Sequence, residues 1–192
     1  ASLEYGKYGF AFSSGMAAIS SVLRILRSGD TIVVGRDTYG GTYRLLHKVL
    51  DRYRIRVVHV DTRDLKAVEA VLVTGGVKGV FLESPTNPLM EVTDIRAIAC
   101  LAHRHGAWLA VDNSMLSPWL QNPLLLGADI VVHSGTKHLS GHSDLSAGIV
   151  ITNSQEIADE VGFLQNAEGN ALSPFESWLL LRGVKTLGLR IE

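Results

Sequence analysis

The sequence predicts an α/β domain of three layers around a mostly parallel sheet. Three observations lead there. Short runs such as Thr31-Ile32-Val33-Val34-Gly35 and Trp108-Leu109-Ala110-Val111-Asp112 are apolar throughout rather than alternating. Strands read that way when helices cover both their faces. Helix-length stretches with apolar residues three and four apart separate these runs. Glycine-bearing turns rich in Ser, Thr, Asp, Asn and Lys follow most of them, at the edge where open α/β sheets bind ligands.

Taken in order, Ser14 to Leu26 places Met16, Ile19, Leu23 and Leu26 on one helical face and stops before Gly29. Thr31–Gly35 is the first strand. Gly41 to Tyr53 reads as a helix, Arg56–Val60 as a strand, Asp64 to Leu72 as a helix and Gly79–Glu83 as a strand. A helix runs from Thr93, the expected N-cap, to His105, with Gly106 just past its end. Cys100 falls in its apolar pattern and reads as a buried small hydrophobe. Trp108–Asp112, Asp129–His133 and Ala147–Ile151 complete the strands, and Ser154 and Ser173 are expected to cap two later helices. Ser177 to Glu192 keeps a helical pattern to the last residue without a C-cap, so a continuation or a further domain is expected beyond it. Residues 1–192 form one unit, with no repeat, low-complexity segment or linker.

Composition narrows the function classes. Hydrophobic residues make up 46% and charged residues 19%, which suits a sizeable buried core. A net charge of -1 offers no field to attract nucleic acid or an acidic membrane surface. No apolar run approaches the ~18 residues of a membrane span. One cysteine excludes a disulfide framework within the chain and fits a reducing compartment. The partner expected is a small molecule.

The strand ends hold the chemistry. Ser13-Ser14-Gly15-Met16 opens the first helix, and Tyr39-Gly40-Gly41 follows the first apolar run. Glu83-Ser84-Pro85-Thr86-Asn87-Pro88, Asp112-Asn113-Ser114 and Ser134-Gly135-Thr136-Lys137 follow later ones. Pyridoxal phosphate (PLP) needs these groups. Its phosphate suits the N–H groups of a helix start with a glycine for close approach, here Gly15 and Met16, with Ser134 and Thr136 hydroxyls as further donors. Its ring nitrogen needs an anion, Asp112. Its ring needs a flat partner, Tyr39. Its aldehyde needs an amine, Lys137, whose burial beside a cationic ring is expected to ease deprotonation. Singly, each reads as a cap, a turn or a solvated lysine. Their common place at strand ends and helix starts is what carries weight.

The run Ser134-Gly135-Thr136-Lys137-His138-Leu139-Ser140-Gly141-His142-Ser143-Asp144 resembles the lysine signature of the Cys/Met-metabolism PLP enzymes, the trans-sulfuration family. Ser13–Ala18, Tyr39–Thr42, Glu83–Pro88, Val111–Ser114, Leu126–Asp129 and Leu180–Leu187 resemble further family motifs, in order along the whole chain. The resemblance implies the PLP-dependent transferase fold (aspartate aminotransferase-like, fold type I). It implies that Lys137 holds PLP as a Schiff base and that Gly15, Met16, Ser134 and Thr136 bind phosphate. Tyr39 stacks on the ring and shares in catalysis, Asp112 pairs with the ring nitrogen, Ser114 lies nearby, and Asn87 lies near cofactor and substrate carboxylate. Gly135 departs from the family's usual alanine, which should loosen the backbone slightly. The family's N-terminal arm, with a Tyr-x-Arg pair, and its C-terminal domain, with a carboxylate-binding arginine, are expected to lie outside residues 1–192.

The implied reaction exchanges the substrate amine for Lys137, which then takes the Cα proton while the ring accepts the electrons. The segment Phe163–Gly169 with Leu172–Glu176 looks most like cystathionine β-lyases, which release homocysteine, pyruvate and ammonia. γ-Synthase and γ-lyase or methionine γ-lyase chemistry are the alternatives. Homodimers or tetramers in the cytoplasm, or a plastid if the source is a plant, are implied too. A cofactor-domain fragment without turnover is the reading from another class. A zinc site at His133, His138 and His142, with His103 and His105 in reserve, is disfavoured by spacing and by the lack of a thiol, so no metal is expected. No Gly-x-Gly-x-x-Gly follows the first strand, which argues against a dinucleotide.

Overall fold

The computed structural model describes residues 1–192. Its strands are β1 (Tyr8–Phe12), β2 (Thr31–Gly35), β3 (Arg56–Val60), β4 (Val77–Glu83), β5 (Trp108–Asp112), β6 (Ile130–Ser134) and β7 (Gly148–Thr152). They form one sheet in the order β1-β7-β6-β5-β4-β2-β3. The five strands from β3 to β6 pair in parallel, and β7 runs antiparallel to both β6 and β1. The sheet is mostly parallel, as expected. β1 is a strand the apolar pattern did not reveal: it lies at an edge with one neighbour, and only Phe12 in it is fully buried.

The helices are α1 (Gly15–Leu23), α2 (Gly40–Arg44), α3 (Leu65–Leu72), α4 (Ile95–Arg104), α5 (Ser117–Leu120), α6 (Gln155–Glu168), α7 (Pro174–Val184) and α8 (Leu187–Ile191). Strand residues alternate between two cores. Ile32, Val34, Phe81, Ala110, Ile130 and Val132 meet Ala18, Val22 and Leu23 of α1 and Val161 of α6. Val33, Val80, Leu82, Leu109 and Val111 meet Val68 and Leu72 of α3 and Ile95, Ile98 and Ala102 of α4. Each fully buried aliphatic side chain contributes roughly 1.5–3 kcal/mol, so these two faces dominate stability. Three layers result, helices above and below one sheet.

Several boundaries differ from expectation. The N-cap of α4 is Asp94, whose side chain accepts the Ala97 N–H at 3.0 Å. Thr93 is buried instead, its hydroxyl 2.6 Å from that of Thr62. Cys100 is exposed. On α4 the buried stripe is Ile95, Ile98, Ala99, Leu101 and Ala102. Cys100 lies about 200° around the helix from Ile98, on the solvent side. The 41–53 helix becomes α2, a π-helical turn over Leu45–Val49 and a 3-10 turn over Leu50–Tyr53. The π turn holds His47 with its Nε2 2.8 Å from Nε2 of His59 on β3. The terminal helix is also interrupted. The Thr186 hydroxyl donates to the Gly183 carbonyl at 3.0 Å and Arg190 Nη2 donates to the same oxygen at 2.9 Å, so α7 stops and α8 starts afresh. Ser14, Asp64, Ser154 and Ser173 all cap their helices by accepting first-turn N–H groups.

Candidate active site

The C-terminal ends of β2, β4, β5 and β6 face one cleft of about 280 Å³. Because β1 is antiparallel to β7, its end delivers the start of α1 to the same edge. Ser14 accepts the Ala17 N–H at 3.1 Å, leaving the Gly15 and Met16 N–H groups of this nine-residue helix open for an anion. Gly15 is required for close approach. A Cβ there would stand 3.0 Å from Cβ and 3.1 Å from Oγ of Ser134.

Ser114 ties two strand ends together. Its N–H and hydroxyl both donate to Asp112 Oδ1, at 2.9 and 2.5 Å, and its Oγ accepts the Ser134 N–H at 2.6 Å. Two donors fix Oδ1 of Asp112, whose side chain lines the cleft. Tyr39 stands at the start of α2, about half exposed. Its ring lies against Gly41, where a Cβ would come within 2.5 Å of Tyr39 Cε1 and 2.7 Å of Met16 Sδ. Lys137 Nζ lies 5.4 Å from the centroid of that ring. Lys137 is exposed rather than buried, so residues 1–192 do not supply the desolvation expected for it.

Gly15, Met16, Tyr39, Asn87, Asp112, Ser114, Ser134, Thr136 and Lys137 all line the cleft. The structure therefore gathers every residue that the sequence assigned to the PLP site. Two have other ties. The Thr136 hydroxyl donates to Ala147 O at 3.2 Å and accepts the Ala147 N–H at 3.0 Å, so it must release the carbonyl to reach a phosphate. Asn87 is exposed at the rim. Gly135 faces Ala147, whose Cβ a Cβ at 135 would approach to 3.0 Å, so close packing rather than looseness distinguishes this position. The histidines considered for zinc are not gathered. His133 Nε2 lies 2.6 Å from Glu4 Oε1, and His142 Nδ1 lies 2.6 Å from Ser140 O.

Glu83, Met115 and Ser146 also line the cleft and were not singled out as site residues. Glu83 matters most. Its Oε1 accepts the Tyr39 N–H at 2.8 Å. Burial, reinforced by Asp112, pushes its carboxyl up to about 7, against the Tyr39 N–H and Lys137, with Asp37 adding to the rise. One signal was in reach: Glu83 and Asp112 both end apolar runs of one sheet, and adjacent parallel strands bring such ends together.

The family model described as "Cys/Met metabolism PLP-dependent enzyme" matches residues 1–192. This chain belongs to that family. It is 50% identical to cystathionine gamma-lyase of Bacillus subtilis over 99% of its own length and 50% of that protein. It is also 50% identical to cystathionine beta-lyase of Lactococcus lactis over 100% of its own length and 50% of that protein. The crystal structure of cystathionine gamma-lyase from Lactobacillus plantarum complexed with L-serine superposes with a TM-score of 0.96 at 51% identity, over 98% of this chain and 49% of that one. The chain thus spans about half the length of the curated relatives it matches. Members of the Cys/Met-metabolism family use PLP, and the cleft fits it: an open helix start, the glycine cradle against Ser134, an anchored carboxylate and a lysine over an aromatic ring converge on one volume.

Proposed function

We propose that the chain is the cofactor-binding part of a carbon–sulfur lyase of sulfur amino acid metabolism, acting on cystathionine by β-elimination. The observation that carries the reading is the cleft in which Lys137 Nζ stands 5.4 Å from the Tyr39 ring centroid, with Asp112 lining the same wall. When bound, PLP would supply an electron-accepting ring. The Gly15 and Met16 amides and the Ser134 hydroxyl hold its phosphate. Asp112 would pair with its ring nitrogen, and Tyr39 would stack on its ring. Lys137, the single amine among the lining residues, holds the cofactor and then moves the proton from substrate Cα. γ-Elimination is the second reading, supported by the equal identity to the B. subtilis γ-lyase.

The substrate is a small amino acid. Exposed Phe163, Phe175, Trp178 and Leu189 support association into homo-oligomers. A reducing compartment such as the cytoplasm is supported by the lone thiol. No helix is long and apolar enough to cross a membrane.

Borohydride reduction of the PLP-treated protein followed by peptide mapping tests the site, with label expected on Lys137. A colourless protein with unmodified Lys137 would sink the reading. Pyruvate release from cystathionine indicates β-elimination, and 2-oxobutyrate release indicates γ-elimination.

A further inference from the structure

Glu83 closes β4 in register with Asp112 at the end of β5. Neighbouring strands lie about 4.8 Å apart, so two carboxyls share one small polar patch at the floor of the cleft. Their surroundings differ. Asp112 Oδ1 takes two donors from Ser114. Glu83, only 8% exposed, takes one, the Tyr39 N–H. The buried Glu83 carboxyl has the half-buried Asp112 beside it, and that neighbour adds to burial in holding the proton on Glu83. Asp37 beyond β2 adds further negative charge near Glu83, and Lys137 beyond β6 opposes it.

We propose that Glu83 is a positioning residue of the PLP cleft: it grips the Tyr39 backbone so that the ring stays over Lys137. The inference rests on the PLP reading given above. The bond to Tyr39 matters because α2 is short and Tyr39 stands at its start without a side-chain cap. Nothing else on β4 reaches that amide. A neutral Glu83 accepts the N–H through its carbonyl oxygen. An ionised one accepts it more strongly, but sets a second anion beside Asp112. The rise of the Glu83 carboxyl into the neutral range makes both forms accessible near physiological pH.

The test begins without cofactor. In protein carrying 15N-tyrosine, the Tyr39 amide proton is expected to move downfield as pH rises, with a midpoint near 7. In Glu83→Gln it stays still while the other tyrosine amides overlay those of the parent. With PLP added, Glu83→Ala is expected to lose about tenfold in PLP affinity, the size of one lost hydrogen bond to a buried acceptor, and Glu83→Gln to stay within about threefold of the parent. A Tyr39 amide that does not titrate in a protein that binds PLP overturns the role of Glu83 alone. Equal affinities in the Gln, Ala and parent proteins do the same. A titrating Tyr39 amide in a protein that takes up no PLP overturns the cofactor reading, and the positioning role with it.

Discussion

At the scale of single residues, the site is a set of anchored side chains. Asp112 is held by Ser114 and contributes no bulk to either core, so Asp112→Ala should remove a ligand group and little else. The expected outcome is at least a tenfold loss of PLP affinity and a bleached visible band, with a circular dichroism spectrum unchanged; roughly 1.5–3 kcal/mol is the scale of a charge-assisted hydrogen bond. Glu83 gives a prediction in pH. Its carboxyl rises from 4.5 in the unfolded chain to about 7 in the fold, so the folded state holds the proton more tightly. That contribution is fully present below the unfolded value and is lost as pH rises through about 7. The shift corresponds to an upper limit of about 3 kcal/mol. Cofactor-free Glu83→Gln should therefore coincide with the parent below about pH 4.5 and melt increasingly above it as pH rises to about 7, with the gap constant beyond. The nine lining residues legible in the sequence share one trait: each belongs to a local turn or helix-start motif. Glu83 opens one of these motifs but reads in sequence only as the polar end of an apolar run. Only the register of β4 against β5 makes it a neighbour of Asp112.

Elements were legible where local chemistry decides them. Ser154 caps α6 by accepting the Ile157 N–H at 3.3 Å. Ser154→Ala should lower stability by about 1 kcal/mol, read as a shift in the urea midpoint with unchanged slope. Elements were illegible where a neighbour decides them. β1 contains alternating and small residues and gains its strand character from pairing with β7, far along the chain. The break between α7 and α8 depends on a threonine and an arginine competing for one carbonyl, a bond that no apolar periodicity encodes. Cys100 reads as buried because Ala99 and Leu101 on either side of it face the core, yet it lies on the solvent side.

Across the whole molecule, the N-terminal segment is fastened to the site from behind. Glu4, 2% exposed, takes His133 Nε2 at 2.6 Å and the Asn113 side-chain amide at 2.8 Å. His133 immediately precedes Ser134, and Asn113 immediately follows Asp112. Glu4→Ala strands these buried groups and should cost about 3 kcal/mol. The denaturant midpoint should fall, while the visible band of the PLP-loaded protein keeps its position at low temperature. A band that moved would mean that Glu4 acts on the cofactor electronically rather than through packing.

The cleft draws on residues from position 14 to position 146, delivered by separate strands of one sheet. Such a pocket has no local precursor. Any contact that must join Gly15 to Ser134 forms only after the intervening chain has collapsed and paired, and non-local pairing is slow. The coenzyme therefore acts as a clock for assembly. In refolding with PLP present, ellipticity should recover first and the visible band last, at a rate independent of PLP concentration. A band that instead grew in step with ellipticity would place pocket assembly early, before the sheet is complete.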